Sequence, residues 1–331
     1  MHTRQNALND WLKTQLGHTA FTILPLAGDA SFRRYFRVHF KNETQIVMDA
    51  PPDKEPLASF LHIGQALHQI GIRVPTILAV DEVQGFALLD DLGDRLFLSA
   101  LSDRNADTLY HSAMQTLTHL QQCPTTELAL PLFDRTKLLG ELNLFRDWFL
   151  KQHLGLELTH TEEKLIDSTF DWLIADMLGQ PQVFVHRDYH SRNIMIVGDE
   201  THVDLAIIDF QDAVRGPFTY DLVSLLKDCY IQWPPEQILT WLTFFYNNCR
   251  IEHTYSLTEF KRAFDRCGLQ RHLKVLGIFC RLHLRDNKTT FLNDLPLVFN
   301  YVMGYLESCE TLYPFYQFML NKVQVTFLET T

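Results

Sequence analysis

Several features that would direct the reading elsewhere are missing from this 331-residue sequence. No apolar run approaches the ~18 residues a membrane-spanning helix needs. The opening Met1-His2-Thr3-Arg4-Gln5-Asn6 lacks the apolar core of a secretory signal, so a cytoplasmic protein without membrane association is expected. Positive charge is not in excess: the formal net charge is −11, which argues against a nonspecific nucleic-acid binder, whose footprint is a basic face. Cysteine is sparse and unpatterned. Cys123, Cys229, Cys249, Cys267, Cys280 and Cys309 form no Cys-x-x-Cys pair and no zinc-like spacing, so reduced and mostly buried thiols are expected. There is no internal repeat, low-complexity tract or charged tail, and nothing in the sequence speaks to oligomeric state.

What is present is a large apolar complement, 46% of residues, enough for two lobes that share one cleft. Leu8, Trp11, Leu12 and Leu16 recur at helical spacing and predict an amphipathic helix over Asn6 to Leu16. Strands are expected at Thr22–Leu26, Arg34–Phe40, Ile46–Met48, Ile77–Val80 and Phe86–Leu89, with a helix from about Pro56 to Ile70 ended by Gly71. Helical periodicity then dominates, over Asp107–Gln122, Lys137–Gln152, Thr161–Met177, Tyr220–Tyr230, Pro235–Cys249 and Thr258–Leu282. The expected class is α+β and bilobal: an N-lobe at 1–89 with an antiparallel sheet and a helix, a hinge at 90–93, and a mainly helical C-lobe at 94–331.

The chemistry concentrates in His186-Arg187-Asp188-Tyr189-His190-Ser191-Arg192-Asn193 and in Ile207-Ile208-Asp209-Phe210-Gln211-Asp212. An Asp, an Asn five residues later and a second Asp behind an apolar run are the parts of a phosphoryl-transfer site. Little covalent work falls to the protein in such a reaction, so catalysis comes from positioning and charge neutralisation. Mg²⁺ binds hard oxygen, which suits Asn193 and Asp209 as its ligands. Asp188 is then free to orient the acceptor hydroxyl and take its proton. His186 is read as structural. The apolar runs Val183–Val185, Ile194–Val197 and Leu205–Ile208 are expected to form short buried strands around a hairpin, with Asp188 and Asn193 on the loop entering it.

These motifs resemble the aminoglycoside phosphotransferase and choline kinase branch of the protein-kinase-like superfamily, with Asp209-Phe210 in the place of the kinase Asp-Phe-Gly. The resemblance implies a kinase that uses ATP and Mg²⁺. It also implies that Asp221, in Tyr220-Asp221-Leu222-Val223, braces the catalytic loop, and that hinge backbone around Asp90 and Leu92 meets adenine. Gly28-Asp29-Ala30-Ser31-Phe32-Arg33-Arg34, Val47-Met48-Asp49-Ala50-Pro51-Pro52 and Arg281-Leu282-His283-Leu284-Arg285-Asp286-Asn287-Lys288 are similar to the anomeric sugar kinases of bacterial cell-wall recycling. That narrower likeness implies an amino-sugar acceptor, N-acetylmuramate or N-acetylglucosamine, phosphorylated at C1.

One departure stands out. The third strand reads Gln45-Ile46-Val47-Met48-Asp49, without the Lys that kinases place there to hold the nucleotide phosphates. Arg33 and Arg34 are the nearest replacements in sequence, since guanidinium groups match phosphate oxygens. Ser31 is a further candidate for the nucleotide, through backbone N–H groups of the turn at Gly28, where a plain hairpin turn reads equally well. For the acceptor, Tyr189 and His190 lie inside the catalytic loop, while Arg281 and Arg285 are candidates for an anionic group such as a lactyl carboxylate. An i,i+4 salt-bridge set with Asp286 reads equally well there. Three functions stay open at this point: a sugar 1-kinase, a kinase for another small hydroxyl acceptor of aminoglycoside, choline or homoserine type, and a nucleotide-binding pseudokinase.

Overall fold

A computed structural model of the protein describes residues 2–17, 19–26, 32–198, 203–249 and 255–330. The chain divides into two compact units, one of residues 1–95 and 195–212, the other of residues 96–194 and 213–331. The return of residues 195–212 to the first unit is invisible to periodicity, which reads along the chain.

The first unit begins with α1 (His2–Leu16), followed by β1 (Thr22–Pro25), β2 (Arg34–Phe40), β3 (Glu43–Asp49), α2 (Ala58–Gln69), β4 (Ile77–Asp81) and β5 (Phe86–Asp90). The strands form one antiparallel sheet in the order β1-β2-β3-β5-β4. Its core joins the Leu8, Trp11 and Leu12 face of α1 to Val38, Val47, Phe86 and Leu88. Burial of each such side chain contributes roughly 1.5–3 kcal/mol, which fixes register because a one-residue slip would turn the apolar face to water. Gly85 closes the β4–β5 turn at φ +73°, and a Cβ there would come within 1.9 Å of the Ala50 carbonyl. Only glycine permits this approach, and it ties Ala50 N–H to the Gly85 carbonyl at 2.8 Å, just after the strand that lacks the lysine.

The second unit opens with α3 (Phe97–Ala100), α4 (Ala106–Leu120) and α5 (Arg135–Leu144), which continues as a π-helical stretch Phe145–His153; α6 (His160–Gly179) and β6 (Gln182–Val185) follow. Helix α6 starts with a capping box in which Thr159 and Glu162 satisfy each other's backbone N–H groups. The chain next forms β7 (Ile194–Val197) and β8 (Asp204–Ile207), paired with each other. Then come β9 (Val214–Pro217), α7 (Tyr220–Leu226), α8 (Pro235–Asn248), the 30-residue α9 (Leu257–Asp286) and α10 (Leu295–Ser308). Helix α9 has its own capping box, Ser256 with Glu259, and ends at Asn287 in the left-handed region.

Of the three apolar runs around the motif, the second and third pair as the expected hairpin and the first pairs elsewhere. Strand β6 pairs antiparallel with β9, and β7 pairs with β8. Val214-Arg215-Gly216-Pro217 was not legible as a strand because Gly and Pro weaken the pattern. A Cβ on Gly216 would lie 3.1 Å from the Phe133 side chain, so a larger residue there would press on that side chain. No helix among the described residues is long and apolar enough to cross a membrane. Cys123, Cys229, Cys249, Cys267 and Cys280 are buried free thiols and Cys309 is a half-buried one.

Candidate active site

In the second unit, β6 delivers the chain into a tight loop. Its first two N–H groups are captured by one carboxylate: His186 N–H donates to Asp221 Oδ2 at 2.6 Å and Arg187 N–H to Oδ1 at 3.0 Å. Asp221 stands in the first turn of α7, where a carboxylate also complements the helix dipole. The bracket supports an unusual backbone, since Arg187 has φ +79°, a conformation that costs a non-glycine residue about 1–2 kcal/mol. The loop then folds on itself. Asp188 N–H donates to His186 Nδ1 (3.3 Å), His190 N–H to the Asp188 carbonyl (3.0 Å), and Asn193 N–H to the His190 carbonyl (2.9 Å). Asn193 Nδ2 donates to the Asp188 carbonyl at 3.1 Å, so the amide is turned with its oxygen available as a ligand. Ser191 N–H is held by the buried Asp228 carboxylate at 3.0 Å.

Asp188 is half-buried, and the charged groups behind it, Glu141, Asp221, Arg271 and Lys274, are buried. Glu141 of α5 accepts from Arg187 at 2.7 Å and lies 3.3 Å from Lys274 of α9; Lys274 Nζ also donates to the Tyr220 hydroxyl at 3.1 Å. Arg271, one turn earlier and buried, donates to Cys229 Sγ at 3.3 Å. Burial alone would raise the pKa of Asp188, but Lys274, His190, Arg271 and Arg187 outweigh it and hold the carboxyl well below the usual range. Asp221 goes the other way. Burial and the neighbouring Asp188 charge push it up to about 7, against the opposing effect of its two backbone donors. Asp188 on the loop and Asp221 on α7, which holds the loop's first N–H groups, are thus driven apart in proton affinity by what surrounds them.

In the first unit, the segment after β8 carries Asp209. It is anchored before and after: Ile207 N–H donates to the Arg73 carbonyl (2.9 Å), and the Phe210 ring stacks on Phe60 of α2 at 5.0 Å. Asp209 has φ +63°, tolerable for Asp, and its Oδ1 accepts from Gln211 Nε2 at 2.7 Å. Among the described residues no group of three or more His, Cys, Asp or Glu could hold a metal ion. The Asp209 carboxylate here and the Asn193 amide in the second unit are each oxygen donors of the hard kind that Mg²⁺ takes beside waters and phosphates.

A family model described as the phosphotransferase enzyme family matches residues 22–248. The chain belongs to this family. Among curated proteins, this phosphotransferase is 38% identical over 335 residues to the N-acetylmuramate/N-acetylglucosamine kinase of Neisseria meningitidis, covering 99% of this chain and 98% of that one. It is 40% identical to the protein of the same name from Pseudomonas aeruginosa, over 85% of this chain and 82% of that one. Among solved structures, a choline kinase from Streptococcus pneumoniae is 14% identical and superposes with a TM-score of 0.62, covering 92% of this chain and 100% of that one. A spectinomycin phosphotransferase solved with ADP and spectinomycin is 13% identical with a TM-score of 0.63, covering 88% of this chain and 93% of that one. The fold is therefore the α+β protein-kinase-like one, with a small antiparallel N-terminal sheet and a mainly helical remainder.

The other sequence candidates of this phosphotransferase fall in varied settings. Ser31 lies outside the described residues. Arg33 is buried and pairs with Glu55 at 2.8 Å, whereas Arg34 is more exposed and pairs with the buried Asp49, which also accepts from Arg4 Nε at 2.7 Å. Asp90 is bound to Thr76 through both its backbone N–H (3.0 Å) and its carboxylate (2.6 Å), while Leu92 N–H has no partner among the described residues. Arg37 clamps the following turn through Asp91 (2.7 Å) and Asp94 (2.8 Å). Tyr189 is fully buried and its hydroxyl donates to the Ala113 carbonyl at 2.9 Å, so it belongs to the core and presents nothing to an acceptor. His190 sits against Tyr230, with ring centroids 5.3 Å apart. Arg285 is exposed and bound to its neighbour Asp286 at 2.9 Å, and Arg281 is half-buried. Sequence reasoning missed Glu141, Arg271 and Lys274, which have no motif around them; their only signal is charge within otherwise apolar helical patterns.

Proposed function

We propose that this phosphotransferase is a sugar 1-kinase that uses ATP and Mg²⁺ to phosphorylate the anomeric hydroxyl of N-acetylmuramate and N-acetylglucosamine. The observation that carries this reading is the 38% identity, over nearly the full length of both chains, to a kinase named for those two sugars. The reaction converts ATP and the sugar to ADP and a sugar 1-phosphate by in-line transfer. Asp188 orients the anomeric hydroxyl and receives its proton. A carboxylate held this far toward its ionised form is a weak base, which suits an acceptor hydroxyl more acidic than an ordinary alcohol and a transition state in which the proton leaves late. The Asn193 amide and the Asp209 carboxylate are the oxygens that would hold Mg²⁺, and the ion would supply neutralisation of the phosphate charge. Arg33, oriented by Glu55, offers the guanidinium that replaces the absent lysine toward the nucleotide phosphates, and Leu92 N–H offers a donor to adenine.

The test is a coupled ATP-turnover assay with N-acetylmuramate, N-acetylglucosamine, kanamycin, choline and homoserine, followed by phosphorus NMR of the product. A sugar 1-phosphate from either amino sugar is expected. Turnover with only another acceptor, or with none, would overturn the reading.

A further inference from the structure

Beside the catalytic loop lies a group of side chains that the reaction as described does not use. Arg192, four residues after Asp188, is exposed, and its guanidinium carbon sits 3.6 Å from the centroid of the Tyr230 ring. Tyr230 is held from several sides. Its N–H donates to Asp228 Oδ1 at 3.1 Å, its ring meets His190 edge-on at 81°, and it packs toward Phe279 of α9 at 6.2 Å. Because the other oxygen of Asp228 holds Ser191 N–H, one buried carboxylate fixes the loop and Tyr230 as a single piece. Asp294, half-buried at the start of α10, lies within electrostatic reach of Arg192 and Asp228. Among the described residues, neither the Arg192 guanidinium nor the Asp294 carboxylate has a hydrogen bond or an ion pair.

We propose that Arg192, Tyr230 and Asp294 form the acceptor subsite, which takes the pyranose of an amino sugar and pairs Arg192 with an anionic substituent on it. The inference rests on the sugar-kinase reading above. A guanidinium stacked on an aromatic ring is flat and rotationally restricted, so its fork of donors meets a carboxylate with little loss of freedom. A nearby carboxylate with both oxygens unclaimed accepts hydroxyl and amide N–H groups, the donors an N-acetylated sugar presents. The position also agrees with the chemistry, since the anomeric oxygen must reach Asp188 on the same loop. Arg281 fails on geometry: at 100° per residue it lies about 200° around α9 from Phe279, the residue that meets Tyr230.

Steady-state kinetics of the full chain with both sugars and with ATP test this assignment. Arg192→Met should raise the KM for N-acetylmuramate by about tenfold or more. It should also lower the kcat/KM ratio of N-acetylmuramate to N-acetylglucosamine, because only the former carries a carboxylate. Asp294→Asn should raise the KM for both sugars, and the KM for ATP should stay within about twofold of wild type in each variant. Arg192→Lys keeps the charge without the fork, so it should retain more of the N-acetylmuramate preference than Arg192→Met does and serves if the latter folds poorly. Unchanged sugar KM values, an equal rise for the two sugars in Arg192→Met, or a parallel rise in the KM for ATP would each overturn the assignment. Wild-type enzyme inactive on both sugars would instead sink the sugar-kinase reading itself.

Discussion

The two units handle charge in opposite ways. In the first, arginines meet acids in small local sets: Arg33 with Glu55, Arg34 and Arg4 with Asp49, Arg37 with Asp91 and Asp94. Several of these groups remain wetted, Asp94 at 78% exposure being the extreme. In the second, the half-buried Arg187 and Asp188 and the buried Glu141, Asp221, Arg271 and Lys274 share one largely desolvated neighbourhood in which charges act on several partners. Wetted pairs are worth about 0–1 kcal/mol each and serve mainly to aim a side chain or pin a turn. A dry network sets protonation states, and breaking it leaves an uncompensated charge. The comparison explains how a fold can keep orientation and acid–base tuning in separate places.

The strongest blow to that contrast falls on Asp188. Asp188→Asn should lower kcat/KM by about 10²–10⁴-fold in the sugar assay. A loss below tenfold would mean that the dry network serves stability and not chemistry.

Next in size is pH. Asp221 has its folded pKa raised to about 7, so its contribution to stability is fully present below its unfolded value and is lost as pH rises through the folded one. His272, buried on α9, has its pKa lowered by burial to about 3. Its contribution is present above the unfolded histidine value of about 6.5 and is lost as pH falls. The two oppose each other over most of the window from about pH 4 to 6.5. Urea midpoints of the wild type should therefore change little there, whereas Asp221→Asn should gain stability as pH rises. A variant whose midpoint stays as flat as wild type would show that Asp221 titrates normally.

In the first unit, Arg33→Ala should weaken ATP binding by about tenfold, the loss of one charged hydrogen bond to phosphate, and Arg34→Ala by clearly less because its more exposed guanidinium is screened by water. Isothermal titration with a nonhydrolysable analogue measures both. Equal losses would erase the distinction between the buried and the exposed arginine, and unchanged affinity in both would remove either from the nucleotide site. The smallest effect belongs to Arg285→Ala: within about 0.5 kcal/mol in stability, with no change in sugar preference. A shift toward N-acetylglucosamine would return the carboxylate role to the end of α9.

Much of the fold was legible because apolar spacing is a local property. Strand Arg34–Phe40 appears with the bounds its alternation suggests, and the α1 helix buries Leu8, Trp11 and Leu12. Where local pattern and packing disagree, packing prevails. The helix expected through Tyr230 ends at Leu226, and Asp228 instead accepts N–H groups from Ser191 and Tyr230. The Lys137–Gln152 periodicity continues as helix but changes to π-helical turns after Leu144. Tyr189 looked available beside Asp188 because alternation says nothing about a loop, and the fold places its ring in the core.

The sequence alone determined that Asp188, Asn193 and Asp209 occur in the order and spacing of a phosphoryl-transfer site, on loops between apolar runs, because residue identity and local periodicity carry that information. Only the tertiary structure decided what those groups experience. Glu141 and Lys274 lie 46 and 87 positions from Arg187, and Asp221 lies 35 from His186, yet the fold brings them together away from water. Proton affinity and ligand preference depend on the distance to other charges and on the loss of solvent, and neither quantity exists until segments far apart in the chain have packed.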